Sequence, residues 1–211
     1  MPEQSSVTTF VVEERLPWSE DCAGSPERGP FDGGAIHEGG IRRTCSIRKI
    51  SSLGVTLAGA PGGSPGEEVT VELDTGQRLP GTVEWTDRGE IGVRFTERLD
   101  VVALINRKLV SQPAERRTMP RVEIRCAAYV KCGGQLLPAT MRNISSKGLQ
   151  IEGDELPACG SYVSVFVEGL NMPGGEIVWR RDRLAGIELL DELSWTSIIP
   201  WVRTVIRQGA N

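Results

Sequence analysis

A chain that repeats itself at a fixed spacing is constrained to fold twice in the same way, and this chain repeats at 94 residues. Ser51 and Ser145, Gly54 and Gly148, Trp85 and Trp179, and Gly92 and Gly186 are each separated by that interval. So are Gly39-Gly40 and Gly133-Gly134, Arg48 and Arg142, and the pair Val69, Val71 with Val163, Val165. No gap interrupts the register, so the 211 residues read as two copies of one fold.

Each copy is a series of short β-like runs separated by turn residues. In the first the runs are 35–38, 41–48, 55–57, 68–73, 78–85 and 91–95; in the second they are 122–130, 136–142, 148–152, 162–167, 175–180 and 184–189. Many short strands with glycine-rich turns predict a barrel, which buries alternate residues and leaves little open edge. An apolar stretch of helical period closes each copy: Val101, Leu104, Ile105 and Leu109 in the first, and Trp195, Ile198, Ile199, Val202 and Ile206 in the second. Ser194 is the expected N-cap of the second helix, and Pro200 is expected to kink or restart it. The fold class is therefore mainly β: two tandem six-stranded barrels, each followed by a short α-helix. The expected divisions are a flexible N-terminal arm over 1–33, a first barrel over 34–110, a hinge over 111–120 and a second barrel over 121–208. Phe10 to Val12 is apolar enough to add an edge strand to the first barrel, while Pro17 to Gly34 reads as loop.

A formal net charge of −4 disfavours a general nucleic-acid binder, which needs a basic surface. It leaves room for a local basic patch. The five cysteines, Cys22, Cys45, Cys126, Cys132 and Cys159, form no C-x-x-C pair, which argues against a zinc ribbon and for reduced thiols in the cytoplasm. No apolar run approaches the ~20 residues of a membrane-spanning helix, and Met1-Pro2-Glu3-Gln4 lacks the basic and apolar regions of a secretion signal. His37 stands alone opposite Lys131 in the repeat, which suits neither a metal site nor a general base. No Ser/His/Asp set, phosphate loop or metal-ligand cluster is legible, so the expectation is no catalytic residue, no metal and no cofactor.

Two stretches carry the chemistry. Arg116-Arg117-Thr118-Met119-Pro120-Arg121 sets Arg117 and Arg121 four residues apart, just ahead of a strand. Asn143-Ile144-Ser145-Ser146-Lys147-Gly148 is a polar turn between apolar runs. A guanidinium offers a planar fork of donors that pairs bidentately with a guanine edge or grips a phosphate. Asn and Ser fold back onto turn backbones, and Gly admits close backbone approach. A ligand with both guanine edges and phosphates suits this set. Read singly, each stretch has a plainer meaning: the arginines as a solvated strand edge, and the turn as only a turn.

An RxxxR pair, about twenty residues, an NxSxxG turn and a trailing Ile177-Val178-Trp179 strand together resemble the signature of PilZ domains, over roughly residues 114 to 208. That resemblance implies a small β-barrel that receives the bacterial second messenger cyclic di-GMP. It implies Arg117 and Arg121 as the clamp on guanine edges and phosphates, and Asn143, Ser145 and Gly148 as contacts to a guanine and its ribose-phosphate. Arg116, just before the pair, implies room for a second stacked ligand molecule. The first copy keeps Ser51 and Gly54, but the offset puts Ala23, Glu27 and Lys49 where Arg117, Arg121 and Asn143 stand, so it reads as a degenerate, ligand-silent copy. The expected function is a non-enzymatic cytoplasmic receptor: the ligand orders the hinge and resets the inter-domain arrangement, which signals to an unidentified downstream protein. The other reading is a tandem-barrel adaptor that acts only through protein contacts. The ligand-silent barrel is the expected surface of a homodimer.

Overall fold

A computed structural model of the chain describes residues 8–19, 31–59, 62–111 and 120–209. Apolar alternation sets its strands. In Glu68–Leu73, Val69, Val71 and Leu73 are buried, while the intervening Glu68, Thr70 and Glu72 keep contact with solvent. The chain divides into two units, Met1–Pro120 and Arg121–Asn211.

In the first unit the strands after a short β1 (Thr9–Val11) are β2 (Asp32–Glu38), β3 (Ile41–Ser51), β4 (Gly54–Ala58), β5 (Glu68–Leu73), β6 (Arg78–Asp87) and β7 (Glu90–Phe95). The ladder runs β2–β3–β4–β7–β6–β5 and returns to β2, antiparallel throughout, so the six close into a barrel. Helix α1 (Val101–Ser111) follows, with its first turn capped by Asp100, whose Oδ1 accepts from the Ala103 amide at 2.9 Å.

In the second unit β8 (Arg121–Cys132), β9 (Gln135–Ile144), β10 (Gly148–Glu152), β11 (Tyr162–Val167), β12 (Gly175–Arg181) and β13 (Leu184–Leu189) close in the same order, β8–β9–β10–β13–β12–β11 and back to β8. Helix α2 (Trp195–Gly209) follows. Its cap is Ser194, at the repeat position of Asp100, with Oγ accepting from the Thr196 amide at 3.3 Å. Pro200 lies inside α2 and does not restart it.

The 94-residue repeat is carried down to local irregularities. Two-glycine turns join β2 to β3 and β8 to β9, with φ of +53° and +84° at Gly39 and Gly40 and +53° and +89° at Gly133 and Gly134. Such a turn needs left-handed backbone at both positions. In both barrels the strand pair after that turn slips by one residue, at Arg48 in the first and Arg142 in the second. A second slip falls just before Trp85 and just before Trp179. Each indole then lies over the glycine opposite it, Gly92 or Gly186, where an added Cβ would come within 2.1 Å or 2.0 Å of the ring nitrogen. Only glycine leaves that space open.

Two expectations need correction. Residues 1–33 are not simply an arm, because β1 runs parallel to the end of β3, pairing Thr9 with Lys49, Phe10 with Ile50 and Val11 with Ser51. Phe10 and Val11 are buried, which favours the added strand over a solvated tail. β2 also starts at Asp32, inside the stretch read as loop. The expected hinge over 111–120, which holds Arg116 and Arg117, lies almost wholly outside the described residues. Among the described residues no helix is long and apolar enough to cross a membrane.

Candidate functional site

The polar turn of the second barrel is built from its own backbone. The amide and hydroxyl of Ser145 both donate to the carbonyl of Gly148, at 2.8 Å and 3.1 Å. Gly148 passes so close to β13 that a Cβ there would come within 2.5 Å of the Ile187 carbonyl oxygen. The end of β13 and the chain just beyond it pin the turn: the Leu189 amide donates to Lys147 O at 2.9 Å and the Leu193 amide to Ser146 O at 2.8 Å. The first barrel repeats these bonds, from the Phe95 amide to Leu53 O and from the Leu99 amide to Ser52 O. Its Ser51 Oγ accepts from the Leu53 and Gly54 amides at 3.1 Å and 3.2 Å. The Ser and Gly of the motif are thus structural in both copies.

Beside this turn the ladder sets out the rest of the site. Val122 pairs with Ile144 and Glu123 with Asn143, so the ladder between β8 and β9 ends one residue short of Arg121, the first residue of β8, and of Ser145 in the turn. Val122 and Ile144 are fully buried in the barrel. Arg121, Glu123, Asn143 and Ser145 alternate along the chain with these core residues, and Glu123 and Asn143 are themselves buried, at 1% and 5% exposure. On the far side of β9, Asn143 pairs with Gln150, and Gln150 with Gly186 under the Trp179 indole. One row therefore crosses four strands: Glu123, Asn143, Gln150, Gly186. Asn143 is buried to 5% exposure, and its Nδ2 donates to Gln150 Oε1 at 2.6 Å. Arg142, at the slip, holds Glu152 at 2.6 Å. Trp179 keeps 39% of its surface exposed at the end of the row.

Of the six residues singled out in the sequence, Arg121 heads β8, and Asn143, Ser145 and Gly148 lie at the end of β9, in the turn and at the start of β10, while Arg116 and Arg117 lie outside the described residues. Gln150 and Glu123 were not singled out. Their signal is visible afterwards, as polar residues on strands whose neighbours are apolar, but their place in one row depends on pairing across β8, β9 and β10.

The matching face of the first barrel is furnished differently. Lys49 and Thr56 hold the positions of Asn143 and Gln150. β1 lies along β3 at Lys49 to Ser51, the stretch that in the second barrel meets the start of β8. The Trp18 ring sits beside Gly54, where an added Cβ would approach it to 3.2 Å, and meets Trp85 edge-on with centroids 5.9 Å apart. The chain's own N-terminal segment therefore covers this face. The sequence hint was Trp18 itself, a large aromatic within a polar, glycine-rich stretch.

The family model of the PilZ domain matches residues 115–199. Similar solved structures include PlzA of Borreliella burgdorferi in complex with c-di-GMP, at 11% identity over 82% of this chain and 86% of that one, with a TM-score of 0.33. Another is the inhibitor of motility MotI/DgrA of Bacillus subtilis, at 15% identity over 85% and 97%, with a TM-score of 0.29. A third is YcgR of Escherichia coli in complex with c-di-GMP, at 12% identity over 85% and 84%, with a TM-score of 0.27. No curated protein matches the chain.

Proposed function

Because the chain carries a PilZ domain over residues 115–199, we propose that it is a non-enzymatic receptor for cyclic di-GMP, bound on the outer face of the second barrel. The observation that supports this reading is the ladder register that pairs Val122 with Ile144 and Glu123 with Asn143, next in the chain to Arg121 and Ser145. In the reading, Arg117 and Arg121 clamp guanine edges and phosphates, and Arg116 faces a second stacked ligand. Asn143 and Ser145 meet a guanine and its ribose-phosphate, and Gly148 keeps the turn close to the barrel. A bidentate Arg–guanine pair discriminates against the wrong base by ~1–3 kcal/mol, enough to prefer guanine to adenine.

Calorimetric titration tests the reading and gives the stoichiometry. Binding is expected for the wild type. Arg121→Ala should weaken it by ~1.5–3 kcal/mol, the range for a charge-assisted contact, and Arg117→Ala with Arg121→Ala should abolish the heat without changing the melting curve. A folded wild type that gives no heat with cyclic di-GMP would leave the adaptor reading. Recovery of intact nucleotide after long incubation is expected; a hydrolysis product would point to an enzyme.

The reading extends to signalling. Gripping a dianion with residues at the junction of the two units would shift their arrangement and present a changed surface to a downstream protein in the cytoplasm. Ligand at about a hundred times its Kd supplies ~2.7 kcal/mol to such a shift when only one arrangement binds. Solution scattering profiles that superimpose with and without bound ligand would sink this part alone.

A further inference from the structure

Resting on the ligand reading above, we infer that Gln150 is a positioning residue that sets the guanine specificity of the site by fixing the amide of Asn143. An asparagine side chain is chemically two-sided: its oxygen accepts and its NH2 donates. Which end faces a ligand decides what that ligand must offer. Here one N–H of that NH2 is held, because Asn143 Nδ2 donates to Gln150 Oε1 at 2.6 Å, and this fixes which end of the amide faces Gln150. This is the one side-chain hydrogen bond of Asn143 given by the described residues.

On the other side of Asn143 stands Glu123, directly opposite it in the ladder and 1% exposed. With Nδ2 held toward Gln150, the other end of the amide, Oδ1, is turned away from Gln150. In the proposal, the end of the amide that meets the ligand is Oδ1, an acceptor. The base edge of guanine carries N1–H and N2–H2 donors and satisfies it. Adenine sets an N1 lone pair at the same place and would be repelled. The first barrel lacks the device, since Lys49 and Thr56 occupy these two positions.

The test uses the full chain and compares affinities for cyclic di-GMP and cyclic di-AMP by calorimetry. Gln150→Leu keeps the bulk but removes the acceptor, and Gln150→Glu keeps an acceptor that cannot donate. Gln150→Leu is expected to narrow the ratio of the two affinities about tenfold, by freeing the amide to rotate. Gln150→Glu should retain the wild-type ratio even if added charge weakens both ligands. A packing role alone would move both affinities together in Gln150→Leu and leave the ratio intact, which overturns the inference. Loss of the ratio in Gln150→Glu overturns it as well, since the bond would then run from Gln150 to Asn143. Failure of the wild type to bind cyclic di-GMP removes the ligand reading itself and this inference with it. Melting curves of both variants confirm that the barrel is folded.

Discussion

Replacing Gly186 by alanine probes the closest packing in the second barrel. The added Cβ would lie 2.0 Å from Trp179 Nε1, 2.4 Å from Cε2 and 2.8 Å from Cδ1. No small adjustment relieves three such contacts, so the indole has to leave the glycine. Trp179 is 39% exposed, so on the order of 150 Å² of it is covered. At about 25 cal/mol per Å² full displacement costs ~4 kcal/mol, an upper bound. The ring stands at the surface and recovers part of its burial in another rotamer. Alanine also stiffens the unfolded chain, which returns ~0.4–1 kcal/mol. The expected net loss is ~2–3 kcal/mol. Urea unfolding of the full chain followed by far-UV circular dichroism should show the transition of the second barrel moved down by about 1 M. The decisive comparison is with Trp179→Ala as background, where Gly186→Ala should cost less than ~0.5 kcal/mol because the clash is gone. An equal cost with and without the indole would refute the argument that the ring selects the glycine.

Phe10→Ala should destabilise the first barrel by ~3–5 kcal/mol while leaving the second transition in place, because Phe10 is 2% exposed and lines a small gap with Ile47, Ile50, Leu73 and Leu104; urea unfolding reads this directly. Glu72 accepts hydrogen bonds from Arg42, His37 and Arg78, which hold its carboxyl down at about 2 instead of 4.5. A depressed carboxyl stabilises the fold above its unfolded value and loses that contribution as pH falls from about 4.5 towards 2. Glu72→Gln should therefore flatten the acid side of the pH–stability curve over that window, and an unchanged acid limb would count against the network. Burial pushes the Cys45 thiol up to about 11, whereas Cys159 is exposed. Since the thiolate is the nucleophile, mass spectrometry after iodoacetamide should find Cys159 modified in the native protein and Cys45 modified only after unfolding.

Much of this architecture was legible because the sequence states it twice. A glycine pair at 39–40 could mean many turns, but its recurrence at 133–134 with matching flanks fixes a hairpin in each barrel. The tryptophans and their facing glycines were visible as repeated letters, although their contact was not, since it depends on a one-residue slip that no alternation pattern encodes. The Ser–Gly turn and the arginine at the head of β8 were found from spacing. Gln150 was missed because a lone polar residue between Leu149 and Ile151 looks like the outward position of any strand. Its meaning lies in the cross-strand partner. Nor does the sequence carry parallel pairing, which joins residues 9–11 to 49–51 across a long gap and leaves no periodic mark.

The duplication also separates what the motif does for the fold from what it does for a ligand. Ser51 and Ser145, Gly54 and Gly148, and the two pinned turns build the same turn in both barrels, so their presence alone does not separate a ligand-binding copy from a silent one. The residues that differ at matched positions are Asn143 against Lys49 and Gln150 against Thr56, and the head of β8 against a parallel strand backed by Trp18. Selection for folding alone gives no reason for an amide pair in one barrel and a lysine in the other, because both positions lie on equally well-paired strands. The difference falls on matched positions of the two barrels, and in the first barrel the chain's own N-terminal segment lies along them. In the proposed reading, the changed positions distinguish the second barrel from the first, and the Ser–Gly turn is the frame the two share.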